Sequence, residues 1–180
     1  CGALRCNEFT VRDTFQQDND LCVSDISFVY DSSVKSDMLR VVLKTSKTDP
    51  YREGVILNLY ATNEKICPVT SMKAYLGIRF FSSMGALFVM PGGKPLTRRE
   101  FVNLLQSALD RAGLNGKHYN GHSLRKGFAT SASAANVPDH VISALGRWSS
   151  SCYKMYINTP RQVVADSMRA ISNPDVINRF

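Results

Sequence analysis

Gly121-His122-Ser123-Leu124-Arg125-Lys126-Gly127-Phe128-Ala129-Thr130 is the stretch on which the reading of this chain turns. Leu145-Gly146-Arg147-Trp148 and Tyr153-Lys154-Met155-Tyr156-Ile157 follow it, so His, Arg, Trp and Tyr fall within thirty-five positions. Upstream, Leu4-Arg5-Cys6-Asn7-Glu8 supplies a second arginine, and Thr45-Ser46-Lys47-Thr48-Asp49 places a lysine in a turn-like context. If the central stretch opens a helix, His122 and Arg125, three residues apart, project to one face.

Working outward, the central stretch predicts a helix from Ser123 to about Ala135. Val137-Pro138 starts a short helix ending near Gly146, with proline suited to a first turn. Ser149 to Ser151 can cap a helix carrying Tyr153 and Tyr156. Arg161 to Ile171 gives a last amphipathic helix. On the N-terminal side, Thr97 and Glu100 have capping-box spacing ahead of Phe101, Val102, Leu104, Leu105 and Leu109, and Gly113 stops that helix. Val69, Met72, Leu76 and Phe80 recur at helical spacing after Pro68. Three β-rich runs precede them: Ile26 to Tyr30, Met38 to Lys44, and Gly54 to Tyr60 with alternating Val55, Leu57 and Leu59. Residues 13–25 read as a loop, and Ala3 to Thr10 as the end of a helix. The fold class is α+β, mainly α, with a small three-stranded antiparallel sheet.

At 180 residues the chain suits one domain, and its 44% hydrophobic content fits a globular protein. The formal net charge of +7 points to an anionic partner, most often nucleic acid. Five scattered cysteines without a CxxC pair argue against a zinc site or disulfide framework and for free thiols. The longest apolar run is far short of a membrane span, and no signal peptide is visible. Gly92-Gly93-Lys94 lacks the spacing of a phosphate loop, and no His-Glu-x-x-His or paired acidic cluster argues for metal catalysis. The chain opens at Cys1 inside a helix-like segment, which reads as a fragment of a longer protein.

Two arginines, a lysine, a histidine and a late tyrosine are what metal-free attack on a phosphodiester requires. The transition state gathers negative charge on the non-bridging oxygens, and arginine answers it with a planar fork that keeps its charge. The leaving oxygen needs a proton. A tyrosine nucleophile, with an ordinary pKa of about 10, needs activation by its neighbours. Singly, each residue has a plainer reading: Tyr156 or Trp148 as core, Arg5 as a solvated surface group, His122 as a satisfied histidine, Lys47 as a turn lysine. Arg98-Arg99 and Lys94 read equally as phosphate contacts or as a solvated helix end.

In their order these segments resemble the catalytic domain of tyrosine recombinases, the phage-integrase family. That family carries Leu-Arg-x-x-Glu, a lysine in a β-hairpin turn, His-x-x-Arg, Leu-Gly-His or a Trp, and a final Tyr. The wording His122-Ser-Leu-Arg-Lys-Gly-Phe-Ala-Thr130 and Leu145-Gly-Arg-Trp-Ser-Ser-Ser151 looks most like the recombinases of eukaryotic DIRS-type and Crypton-type mobile elements. The resemblance implies that residues 1–180 are a helical recombinase catalytic domain, N-terminally truncated, with its core-binding domain absent. It implies that Arg5 and Arg125 grip the scissile phosphate, Lys47 protonates the leaving 5′ oxygen, and His122 bonds the phosphate or assists proton transfer. Trp148 would pack and donate from its indole N–H, Tyr156 would attack to form a 3′-phosphotyrosyl bond, and Glu8 would buttress the site.

No cofactor, metal, membrane or small-molecule ligand is implied. The implied partners are double-stranded DNA and, on it, three further copies in a homotetramer. A C-terminal helix would dock on the neighbour, and Val163, Val164, Met168 and Ile171 supply a stripe that could instead pack on the chain's own core. The implied location is nuclear if the source is eukaryotic, otherwise cytoplasm or nucleoid. The spacing from Arg5 to Lys47 is long for the family, which leaves Lys44 as a rival. Arg147 competes with Trp148 for one slot, and Tyr153 competes with Tyr156. Two other functions stay open: a catalytically inactive DNA-binding protein derived from a mobile element, and a type IB topoisomerase.

Overall fold

A computed structural model describes residues 2–45, 51, 53–79, 85–157 and 161–171. The chain divides into two compact units, Cys1–Ser123 and Leu124–Phe180.

The first unit is built on an antiparallel sheet of β1 (Ile26–Asp31), β2 (Ser36–Leu43) and β3 (Val55–Tyr60) in that order. The register pairs Leu39 with Phe28 and Leu59, Val41 with Ile26 and Leu57, and Leu43 with Val55. Alternation therefore sends Leu39, Val41, Leu43 and Leu57 into a core completed by Leu21, Cys67, Val69 and Leu87. Burying a side chain of this class stabilises by about 1.5–3 kcal/mol. Asp31 Oδ1 accepts the Ser33 N–H at 2.9 Å in the β1–β2 turn, and Lys35 closes that turn at φ 52°. All three strands lie where the β-rich runs predict them.

Helix α1 (Pro68–Ile78) takes proline at its start and lays Val69, Met72 and Leu76 on the sheet core at the predicted spacing. Phe80, the last residue of that predicted series, lies outside the described residues. The predicted capping box holds at α2 (Arg98–Arg111): Thr97 accepts from the Glu100 N–H at 3.3 Å, and Glu100 Oε2 accepts from the Thr97 N–H at 2.9 Å. These bonds hold the Glu100 carboxyl below the usual carboxylate range. Beyond α2, Gly113 at φ 80° closes the helix as expected.

The second unit holds α3 (Ser123–Ala134), whose first residue closes the first unit, with α4 (Asp139–Gly146) and α5 (Arg161–Ile171). Its core is Ala129, Ile142 and Tyr153, with Phe128, Ala132, Val137, Trp148, Tyr156 and Ile157 packed around them. On α5, Val164 and Met168 are exposed.

Two local expectations fail. The opening segment is a 3₁₀ turn at Cys6–Glu8, not the end of an α-helix: Arg5 precedes it with extended backbone, and Glu8 closes on the Arg5 N–H at 2.7 Å. The tyrosine segment Ser151–Tyr156 is also 3₁₀, and Ser150 offers it no side-chain cap. Cys6, Cys22, Cys67 and Cys152 are free cysteines. Among the described residues no helix is long and apolar enough to cross a membrane, and no cluster of three metal-ligating side chains occurs.

Candidate active site

In the first unit, Arg5 is fixed from below. Its Nη1 donates to Glu8 Oε1 at 2.9 Å, and the Glu8 side chain is only 4% exposed against 19% for Arg5. A carboxylate this buried holds the arginine's orientation. Cys6 is buried beside it, and that burial pushes its thiol up, although Thr10 and the nearby Arg98 pull the other way.

His122 lies one residue before α3. Its N–H donates to Asn120 Oδ1 at 2.9 Å, while Ser123 Oγ accepts from the Asn120 N–H at 2.9 Å. This reciprocal turn leaves the His122 side chain exposed. Gly121 brings that turn against the Arg5 segment: a Cβ there would stand 3.0 Å from Cys6 Cβ and 3.6 Å from Arg98 Nε. Within this unit, therefore, the segments carrying Arg5 and His122 are neighbours.

Lys47 lies outside the described residues. Its rival Lys44 is a structural group. Lys44 Nζ pairs with Asp25 at 2.8 Å and donates to the Gln17 carbonyl at 2.6 Å and to Cys22 Sγ at 3.1 Å. Burial opposes its charge, but the Asp25 and Cys22 bonds outweigh that and raise its pKa above the usual lysine value. Lys44 thus ties loop 16–25 to the end of β2.

In the second unit, Arg125 is 6% exposed. A buried guanidinium needs acceptors and a weakly hydrated surface to lie on. Arg125 Nη2 donates to the Gly146 carbonyl, and its Cζ stands 4.3 Å over the Trp148 ring. Trp148 is stacked on Phe128 at 6.4 Å and tilted against Tyr153 at 5.5 Å. Among the described residues its indole N–H has no acceptor, so its visible work is to form a shelf.

The helix end beneath that shelf is tightly specified. The Trp148 N–H reaches the Ser143 carbonyl at 3.1 Å, the Arg147 N–H reaches Ala144 at 3.0 Å, and Ser143 Oγ donates to the Trp148 carbonyl at 3.1 Å. Arg147 takes the left-handed position at φ 54°, where a side chain costs about 1–2 kcal/mol. A Cβ on Gly146 would overlap the Trp148 ring, so only glycine ends α4 with the indole in place. This geometry separates Arg147, at the helix cap, from Trp148, under Arg125.

The two tyrosines differ in the same way. Tyr153 is 6% exposed and belongs to the core. Tyr156 is half-buried; its carbonyl accepts from Thr130 Oγ1 at 2.6 Å, and Lys126 Nζ stands 5.3 Å from its ring centroid. Lys126 and Thr130, one turn apart on α3, are contacts that sequence reasoning missed; their i, i+4 spacing is the one local signal of a shared face.

The model of the phage integrase family matches residues 29–159 of the 180. The chain belongs to the phage integrase family. This tyrosine recombinase family domain also has the fold of the Tn1549 transposon integrase in complex with circular intermediate DNA. That structure aligns at TM-score 0.54 with 13% identity, over 93% of this chain and 53% of that one. A variant of the same integrase, bound to a second circular intermediate DNA, aligns at TM-score 0.56 and 13% identity, over 94% and 55%. The integrase-family chain thus spans just over half the length of these structures. No curated protein matches it.

Proposed function

We propose that the chain is the catalytic domain of a site-specific DNA recombinase that cleaves and rejoins duplex DNA through a tyrosine, without metal or ATP. The observation that carries this reading is the Arg125 pocket. A buried guanidinium is held by the Gly146 carbonyl and the Trp148 face, in the same unit as a half-buried Tyr156. A core-only arginine has no comparable reason to be preorganised, and preorganised charge is what a phosphoryl transition state rewards.

In the proposed reaction Arg5 and Arg125 bind the non-bridging oxygens of the scissile phosphate. Tyr156 Oη attacks phosphorus, the P–O5′ bond breaks, and a 3′-phosphotyrosyl bond takes its place. His122 bonds the phosphate or relays the tyrosine's proton, while Lys47 gives a proton to the 5′ oxygen. One phosphoester replaces another, so rejoining needs no outside energy source. Lys47 is preferred because Lys44 is committed to Asp25 and the loop carbonyls. Glu8 and Trp148 position the two arginines. The motif wording supports a mobile-element origin of DIRS or Crypton type, with a nuclear site of action, and the family supports a homotetramer on DNA.

The test uses nicked duplex DNA drawn from either side of the gene that encodes the chain, incubated in EDTA and run on a denaturing gel. A protein-linked DNA band is expected. Lys47→Ala should abolish it on ordinary DNA and regain it on DNA with a 5′-bridging sulfur, whose thiolate leaves without a proton. DNA binding without any adduct on either substrate would instead support an inactive DNA-binding protein.

A further inference from the structure

Helix α3 presents two consecutive cations to two different segments. Arg125 is buried and reaches the end of α4, whereas Lys126 is exposed, with its Nζ over the Tyr156 ring at 5.3 Å from the centroid. Consecutive residues on a helix point about 100° apart, so the two cations serve different partners. Lys126 and Thr130, at i and i+4, do share a face, and both meet the tyrosine.

The two contacts act on opposite ends of one residue. Thr130 Oγ1 lies 2.6 Å from the Tyr156 carbonyl and 3.1 Å from the Lys126 carbonyl, and its single proton serves the shorter bond. That bond fixes the backbone at the last residue of the 3₁₀ segment, where a terminal carbonyl needs a donor from outside. Lys126 acts on the ring. Among the described residues, no carboxylate lies within ion-pair distance of Lys126; Asp139, in the first turn of α4, stands 3.9 Å from Lys154 instead. No acid therefore competes with the ring for the ammonium. The attraction between a cation and a phenol ring grows as the hydroxyl gives up its proton, because part of the phenolate charge spreads into the ring. A contact that strengthens on the way to the transition state accelerates the step, which uniform binding does not.

We propose that Lys126 is a positioning residue for the nucleophile: its ammonium holds the Tyr156 ring while Thr130 holds the backbone, and its charge favours the negative charge that develops on the tyrosine during attack. The inference rests on the reading that Tyr156 attacks DNA. It adds no bond-making step to that reaction. It gives α3 two tasks, with Arg125 set on the Trp148 shelf and the next residue set on the nucleophile.

The experiment measures the single-turnover rate of covalent adduct formation on the nicked duplex in EDTA, at saturating DNA, with duplex affinity followed in parallel by fluorescence anisotropy. It compares wild type with Lys126→Met, which keeps the stem and removes the charge, and Lys126→Arg, which restores a cation. Lys126→Met should slow the saturated rate about two- to fivefold, the size of an exposed cation–π contact, and Lys126→Arg should return it to the wild-type value. A saturated rate in Lys126→Met equal to wild type overturns the role, and a fall in affinity alone would make Lys126 a phosphate contact instead. Equal slowing in both variants also overturns it, because the charge would then not be what matters. Absence of any wild-type adduct overturns the role together with the reading beneath it.

Discussion

Replacing Gly146 with alanine tests how the Arg125 pocket is built. A Cβ at this position would fall on the six-membered ring of Trp148, and Gly146 is not among the residues of positive φ. Space, not backbone conformation, demands the glycine. Driving the indole out forfeits its contacts with Phe128 and Tyr153, at about 0.5–1.5 kcal/mol each, and the cation–π contact with a desolvated Arg125, at about 2 kcal/mol. The opposing gain is the better helix propensity of alanine, about 0.8–1.0 kcal/mol. The expected net loss is about 2–4 kcal/mol in urea unfolding followed by circular dichroism. Trp148 is the chain's single tryptophan, so its fluorescence should shift to the red in the same variant. In a Trp148→Ala background the obstruction is gone, and Gly146→Ala should be neutral or stabilising by up to about 1 kcal/mol. An equal penalty in both backgrounds would refute the argument, because the penalty would then not come from the indole.

Thr97→Ala should cost about 1 kcal/mol of stability. Glu100 has its folded pKa depressed from 4.5, so its contribution is present above that value and lost as pH falls through the lower folded value. Glu100→Gln should therefore flatten the acid limb of stability against pH, measured by thermal melting at stepped pH. Lys44→Met should destabilise by about 1–3 kcal/mol, since it strands the mostly buried Asp25, and should free loop 16–25 to hydrogen exchange. The raised folded pKa of Lys44 makes its contribution complete below 10.5 and lost as pH rises beyond the folded value. Thr130→Val removes the donor to the Tyr156 carbonyl; about 1 kcal/mol of stability should go with it, and covalent adduct formation should slow relative to duplex binding.

The sheet, the Thr97–Glu100 box and the Gly113 stop were legible because each is written in neighbouring residues: alternation with period two, a three-residue cap, a glycine after the last apolar turn. The tyrosine segment reads as a serine-capped helix because serines resemble a cap in sequence, while Ser150 makes no cap bond and the segment, a 3₁₀ helix, follows the Trp148 shelf into the core. Local wording favours Lys47, in a turn-like context, over Lys44, which continues a strand, but the partners that commit Lys44 are closed to local reading. What commits Lys44 is Asp25 and Gln17, more than fifteen residues away along the chain but adjacent across the end of β2. Likewise His-x-x-Arg and Leu-Gly-Arg-Trp were visible as motifs, yet that Trp148 carries Arg125 on its face follows only from the packing of α3 against the end of α4. Lys126 stood beside the motif without any mark of its approach to Tyr156.

The proposed chemistry makes Tyr156 the nucleophile, whereas Tyr153 lies in the core. Nicked duplex DNA should be incubated in EDTA with wild type, Tyr156→Phe and Tyr153→Phe, and the DNA-linked peptide of any adduct identified by mass spectrometry. The expected result is a wild-type adduct on Tyr156, none with Tyr156→Phe, and a retained adduct with Tyr153→Phe in a less stable protein. An adduct that survives Tyr156→Phe, or maps to Tyr153, would contradict it.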